Sequence, residues 1–187
     1  MKLGIKAKAP LFKLKDVFDR EIDLEKYADR KILVAFFRHA GCPFCNLRVH
    51  ALTKVYEELK ANGLEMIFFF ESKKNVILRS SFHREVSPVP IIADPEKVWY
   101  NKYGLEESGS KSAISHLTSF LPTVIEAKRK GVPVHLMADG ESIKTMPAEF
   151  LVGTNLLIKK VHYSDRLNQR LDVEDIRKFS LNENAFD

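Results

Sequence analysis

The stretch Lys31–Gly63, KILVAFFRHAGCPFCNLRVHALTKVYEELKANG, decides the fold. Its opening, Ile32–Phe37, is an apolar run too short for a buried helix and rich in β-formers, which predicts a strand covered on both faces. His39-Ala40-Gly41 breaks it. From Pro43 onward Cys45, Val49, Leu52, Tyr56 and Leu59 recur at steps of four, three, four and three, marking one face of an α-helix. Pro43 suits the first helical position and Asn62-Gly63 the end.

Both cysteines of the chain sit at the strand-to-helix junction. Three residues apart in a first helical turn, Cys42 and Cys45 face the same way, with Cα atoms close enough for an intramolecular disulfide. Cys42 falls where unpaired N–H groups and the positive end of the helix dipole favour a thiolate, so it should titrate low and be the reachable sulfur. Cys45 lies in line with the buried helix face and should be shielded, suited to resolving a mixed disulfide.

At 187 residues and 45% hydrophobic content the chain fits one domain, 1–187, with a core of its own. The lysine-spaced start is no secretory signal, and no run approaches the ~20 apolar residues of a membrane span, so no membrane partner and a cytoplasmic location are expected. In that compartment a lone CxxC is catalytic or metal-binding more often than structural. The net charge of +5 is dispersed among 25 acids, which argues against nucleic acid. Lys128-Arg129-Lys130, the densest basic run, fits the end of a helix.

Outward from the central stretch, residues 9–24 read as a small hairpin covering the sheet edge. Leu64–Phe70 is a second dense apolar strand, completing a right-handed βαβ unit. Lys73–Phe82 is moderately helical, Val89–Ala93 a third parallel strand, and Glu96–Tyr103 a helix closed by Gly104. About 105–145 the pattern becomes a Ser-rich helical insertion, with Ile114, Leu117, Phe120 and Leu121 spaced for one face and Pro122 able to kink it. The insertion is a candidate for substrate specificity or for a dimer contact, and the oligomeric state stays open. Pro147–Val152 and Leu156–Tyr163 form an antiparallel pair, and a C-terminal helix begins near Asp172. The fold class is α/β.

A strand entering CxxC at a helix N-terminus, further βα units and an antiparallel pair preceded by Met146-Pro147 together resemble the thioredoxin fold. That resemblance implies a central mixed sheet flanked by helices, with the insertion before the last two strands. It also implies a cis-Pro147 facing the CxxC, with the Met146 backbone beside Cys42, ready to pair with a substrate's extended backbone. The alternative is an ordinary trans proline at a strand start.

The segments KAKAPLFKLKDVFDREIDLEKY, FFRHAGCPFC and ADPEKVWYNKYG are similar to the AhpC/TSA (peroxiredoxin-like) family, and the CPFC motif with the long insertion looks most like the peroxiredoxin-like-2 group. The family's Pro-x-x-x-Thr-x-x-Cys motif falls on Arg38, Cys42 and Cys45, so its proline and hydroxyl are absent. In that register Cys45 is the peroxidatic cysteine, whereas the thioredoxin register makes Cys42 the attacking thiol. Phe36 stands where thioredoxin keeps a buried acid. Arg38 and His39 are near enough to stabilise a Cys42 thiolate or shuttle a proton; the alternative is that they face water.

The leading expectation is a thiol–disulfide oxidoreductase or antioxidant protein cycling a Cys42–Cys45 dithiol and disulfide. Its substrate would be a disulfide or a peroxide, its electron donor of thioredoxin or glutathione type, with no cofactor. The alternatives are a thiol-dependent peroxidase using Cys45, a non-catalytic binding module with a structural disulfide, and a zinc site using CxxC. Zinc wants four ligands, and the histidines show no H-x₃₋₅-H spacing, so no metal is expected.

Overall fold

The computed structural model describes residues 1–86 and 88–186. The central stretch forms strand β3 (Lys31–Phe36) and, after the CPFC turn, helices α1 (Pro43–Lys54) and α2 (Tyr56–Ala61). The single helix expected over this stretch is thus two, broken at Val55. Gly63, with φ of +79°, ends α2 in the left-handed conformation that suits glycine and turns the chain into β4 (Leu64–Phe70).

Ahead of this unit, β1 (Lys13–Lys15) and β2 (Glu21–Asp23) make the expected hairpin, narrower than its apolar pattern. After it come two short helices, α3 (Lys74–Ile77) and α4 (Ser81–Glu85), in place of one. Strand β5 (Ile91–Ala93), helix α5 (Val98–Lys102) and the long α6 (Gly109–Arg129) follow. Strands β6 (Ala148–Val152) and β7 (Ile158–Tyr163) and helix α7 (Val173–Leu181), capped by Asp172, complete the chain.

The main sheet has the order β5-β4-β3-β6-β7, with β3, β4 and β5 parallel and β6 antiparallel to both neighbours. Its edges are covered. The hairpin turn donates Val17 N–H to Ile91 O beside β5 (2.8 Å), and the N-terminal segment runs along β7, with Lys6 N–H on Ile158 O (2.8 Å). Burial on both faces explains the apolar runs of β3 and β4. Alternate residues separate two cores. Leu33, Ala35, Phe37, Phe68 and Phe70 face α1 and α7, whereas Ile32, Val34, Phe36, Phe69 and Phe150 face the hairpin and α5.

The insertion departs from its expected packing. Ile114, Leu117 and Leu121 point into solvent, Phe120 lies half-exposed beside His116 and Phe44, and the buried face of α6 is made of Ser112, Ser115, Thr123 and Ala127. Small side chains let the helix lie close, and their hydroxyls find partners: Ser115 Oγ accepts Leu167 N–H at 3.0 Å. Pro122 is accommodated within the helix. Residues 132–145 then run as a strap without helix or strand over the start of α1. Among the described residues no helix is long and apolar enough to cross a membrane.

Candidate functional site

The end of β3 delivers Arg38 and His39 to the mouth of the CPFC turn, and Cys42 is the residue that caps α1. Both cysteines are free thiols, and the expected difference in access is absent: Cys42 is 1% exposed and Cys45 0%. The strap explains why Cys42 is covered. His135 N–H bonds to Gly41 O (3.2 Å), and Asn46 Nδ2 holds Pro133 O (2.8 Å). Gly41 permits this approach, since a Cβ there would meet the His135 carbonyl oxygen at 2.5 Å.

Arg38 is the charge closest to the chemistry. Its side chain is buried, with Nη1 3.7 Å from Cys42 Sγ, Nη2 donating to Ile143 O at 2.7 Å and Nε without a hydrogen-bond partner. No carboxylate of the described residues forms an ion pair with it, so the Cys42 sulfur is the group placed to balance its charge. Arg38 also donates its backbone N–H to Cys45 Sγ at 3.3 Å.

The two thiols differ electrostatically although both are buried. Burial pushes Cys42 up, but the Cys45 thiol as hydrogen-bond donor, the Arg38 guanidinium and the Cys45 N–H pull it down to about 6. Cys45 moves the other way: burial, its role as donor and the charge on Cys42 raise it well above the usual thiol range. The surroundings thus favour the thiolate at Cys42 and the protonated thiol at Cys45.

His39 plays no charged part in this balance. Burial, reinforced by Arg38, lowers its pKa to about 3, so the 3.8 Å approach of its Nδ1 to Glu141 is not an ion pair at neutral pH. It lines the cavity above Cys42 as a neutral ring. That cavity, about 350 Å³, is walled by Phe120, Val134, Leu136, Met137 and Ile143, with His116 and His135 beside them.

Met146 shares the buried cluster of both cysteines, but two expectations attached to Met146-Pro147 are corrected. The peptide bond is trans: among the described residues there is no cis bond, and trans is the preferred form unless the surroundings select otherwise. The Met146 N–H is also not free for a substrate. It bonds to Glu106 O (3.0 Å), and Glu107 bridges Thr145 in antiparallel fashion, so the start of the insertion occupies the edge a substrate strand would use.

Beneath Cys45 lies a charged group that the sequence reading missed. Glu149, fully buried on β6 opposite Ala35, accepts a bidentate pair from Arg48 (Nε and Nη2, both 2.8 Å) and faces Arg170 Nε at 3.8 Å. Phe36, at the position of the thioredoxin acid, points to the opposite face and stacks on Phe69. The buried carboxylate therefore comes from the neighbouring strand. The signal available was an acid inside the apolar run AEFLV. Among the described residues no group of three or more metal-ligating side chains is placed to hold an ion.

Comparison with curated proteins finds no match. Among solved structures, peroxidoxin BcpB from Mycobacterium tuberculosis shares 10% identity at a TM-score of 0.65, covering 96% of each chain. A Chlorobium tepidum protein assigned as the thiol:disulfide interchange protein DsbE shares 16% at 0.65, over 97% of this chain and 100% of that one. A thiol peroxidase from Chromobacterium violaceum shares 13% at 0.64, over 98% and 89%. These likenesses show a thioredoxin-like fold of the peroxiredoxin type, and since the AhpC/TSA family model also matches residues 5–161, the chain belongs to the AhpC/TSA family.

Proposed function

We propose that the protein is a thiol-dependent oxidoreductase in which Cys42 attacks and Cys45 resolves. The observation that carries this is Arg38, a buried guanidinium with no carboxylate partner among the described residues, 3.7 Å from the Cys42 sulfur. A buried cation favours the anionic sulfur beside it, and a thiolate with a pKa close to the working pH is the most effective attacking form.

With a peroxide, the Cys42 thiolate attacks one peroxide oxygen, the O–O bond breaks, and the second oxygen leaves as an alcohol or water after taking up a proton. Cys45 gives up its proton and attacks the sulfenic acid, forming the Cys42–Cys45 disulfide and releasing water. An external dithiol or glutathione-type donor then reduces the disulfide by two electrons. With a disulfide substrate the Cys42 thiolate breaks the substrate S–S bond, forming a mixed disulfide with one sulfur and freeing the other as a thiolate that takes up a proton, and the same Cys45 attack then releases the second substrate thiol.

The covered Cys42, the small apolar cavity above it and the occupied Met146 edge favour small substrates over an extended polypeptide. The alternative, Cys45 as the peroxidatic sulfur, draws on the Arg38 N–H that points at it, but its raised pKa leaves it protonated.

The test is turnover and intermediate trapping in the two single variants. Cys42→Ser should abolish both peroxide and disulfide turnover, while Cys45→Ser should accumulate a sulfenic acid or mixed disulfide on Cys42, seen by mass spectrometry. A sulfenic acid forming on Cys45 of Cys42→Ser at the wild-type rate would reverse the assignment. Full activity in both variants would end it.

A further inference from the structure

The apolar stripe of α6 lies on the side opposite the buried Ser112, Ser115 and Thr123, where Ile114, Leu117, Leu121 and Ile125 follow helical spacing into solvent. Phe120, with Leu136, Met137 and Ile143 of the strap, continues it to the mouth of the cavity over Cys42. Leu117 is 89% exposed and Leu136 96%. Leu121 and Ile125 border a shallow groove whose rim carries Arg129 and Lys130, so apolar and basic groups share this surface. Apolar surface this continuous marks an interaction site.

The charge around the stripe indicates what it meets. Residues 109–145 carry five basic side chains (Lys111, Lys128, Arg129, Lys130, Lys144) and three acids (Glu126, Asp139, Glu141). Of the acids, Glu126 is held by Lys130, and Glu141 turns inward to Ser72 and His39. Lys128 and Arg129 are exposed and have no ion-pair partner among the described residues.

A second copy does not supply the missing negative charge. An antiparallel pairing of α6 through Ile114–Ile125 would set Lys128 and Arg129 beside Lys111 and Ser110, and the nearest carboxylates, Glu106 and Glu107, are already engaged by Lys111 and Lys97.

We propose that α6 and the strap seat the mouth of the Cys42 cavity on an anionic lipid surface. The apolar side chains enter the boundary between headgroups and acyl chains, and Lys128 and Arg129 meet the headgroup charges. The sequence expectation of no membrane partner rested on the lack of a spanning run, and a surface contact needs none. Lipid binding stands apart from the redox assignment. Only its consequence, that apolar substrates enter from the lipid side, rests on that assignment.

The experiment is flotation of the full chain with phosphatidylcholine vesicles, with and without about a third phosphatidylserine, across a salt series. The protein should float with the anionic vesicles and progressively less as salt rises. L117D/L121D should cut the bound fraction at least about tenfold without lowering the melting temperature, because both side chains stand in water. K128Q/R129Q should weaken binding on the order of tenfold to anionic vesicles and leave neutral ones unaffected.

Absence of flotation with anionic vesicles overturns the proposal, and so does flotation indifferent to L117D/L121D. Sedimentation showing a wild-type dimer that L117D/L121D dissolves, without lipid binding, assigns the stripe to self-association instead. Loss of peroxide turnover in Cys42→Ser bears on the redox assignment alone and leaves the flotation result as it was.

Discussion

The two faces of the main sheet are built from alternate residues of the same strands, yet only one buries a charged residue of the strands themselves, Glu149. On the face toward the hairpin, Phe36 packs against Phe69 at 4.5 Å, Tyr103 at 4.8 Å and Tyr100 at 5.1 Å. The polar ends of that layer are satisfied, as where Tyr100 donates its hydroxyl to Phe37 O at 2.5 Å. On the opposite face the same strands carry Ala35 and Glu149 side by side, with Arg48, Arg170, Arg38 and both thiols around them. One face supplies cohesion. The other holds ionic groups out of water, which is costly unless they are paired, and there the pairing includes a sulfur.

The largest effect that separates the faces is expected from Phe36→Ala. Removing a ring packed against four others should lower stability by about 3–5 kcal/mol, measured by urea unfolding, because the cavity left behind adds to the lost burial. The Cys42 thiol pKa, read from the pH dependence of alkylation, should stay near 6. A large shift of that pKa would mean that the aromatic face helps set the thiol chemistry.

Glu149→Gln comes next, with a loss of about 3 kcal/mol, because Arg48 and Arg170 would keep their buried charges without a counter-ion. Here stability and thiol behaviour should change together, since Arg170 contributes to lowering the Cys42 pKa. An unchanged melting temperature would show that water or another acid already compensates the two arginines.

Acid sensitivity distinguishes the faces more gently. Burial lowers His39 to about 3 and His83 to about 4, and His83 Nε2 lies 3.1 Å from Asn46 Oδ1 on the cysteine side. Both histidines are neutral when folded, whereas in the unfolded chain they take up a proton below pH 6.5. The unfolded state therefore binds more protons between pH 6.5 and these depressed values. Stability present above pH 6.5 is lost as pH falls, by up to about 1.4 kcal/mol per unit for each ring. His83→Gln should remove one ring's share of that slope. Phe36→Ala should leave the slope intact, and urea midpoints from pH 7 to pH 4 test both.

What was legible in the sequence follows the same division. The β3–α1 unit, β4, β5, the hairpins and α7 were readable because their signals are local: apolar runs, a helical period broken only at Val55, and the Asp172 cap. The aromatic face came with them, since a run buried on both sides needs no further information. The charged face was not readable, because Arg48 and Glu149 meet across 101 residues of separation and no local pattern encodes that pairing. The packing of α6 misled for a different reason: its buried face is made of serine, threonine and alanine, so the apolar stripe marked the outside. The strap over Cys42 has no periodicity to detect, and it is the strap that removes the expected exposure of that sulfur.

The smallest effect on stability, and the sharpest test of the division, is expected from Arg38→Met. Most buried charges are costly to remove because a partner of opposite sign is left behind. Arg38 has no carboxylate partner among the described residues, and the methionine chain can fill much of its place among apolar neighbours. Unfolding should therefore change by less than about 1 kcal/mol, and a gain is as consistent with this argument as a small loss. The thiol should respond fully. Without the guanidinium 3.7 Å away, burial is opposed only by Cys45 and the more distant Arg170, and the Cys42 pKa should climb from about 6 toward or beyond the ordinary thiol value of about 8.5. At pH 7 the thiolate fraction, and with it the alkylation rate, should fall by at least about tenfold. Arg38→Lys, which keeps the charge, should recover part of that rate. If Arg38→Met instead unfolded the protein while Arg38→Lys folded normally, the guanidinium would be a structural cation, and the division between a cohesive face and a reactive one would have to be drawn elsewhere.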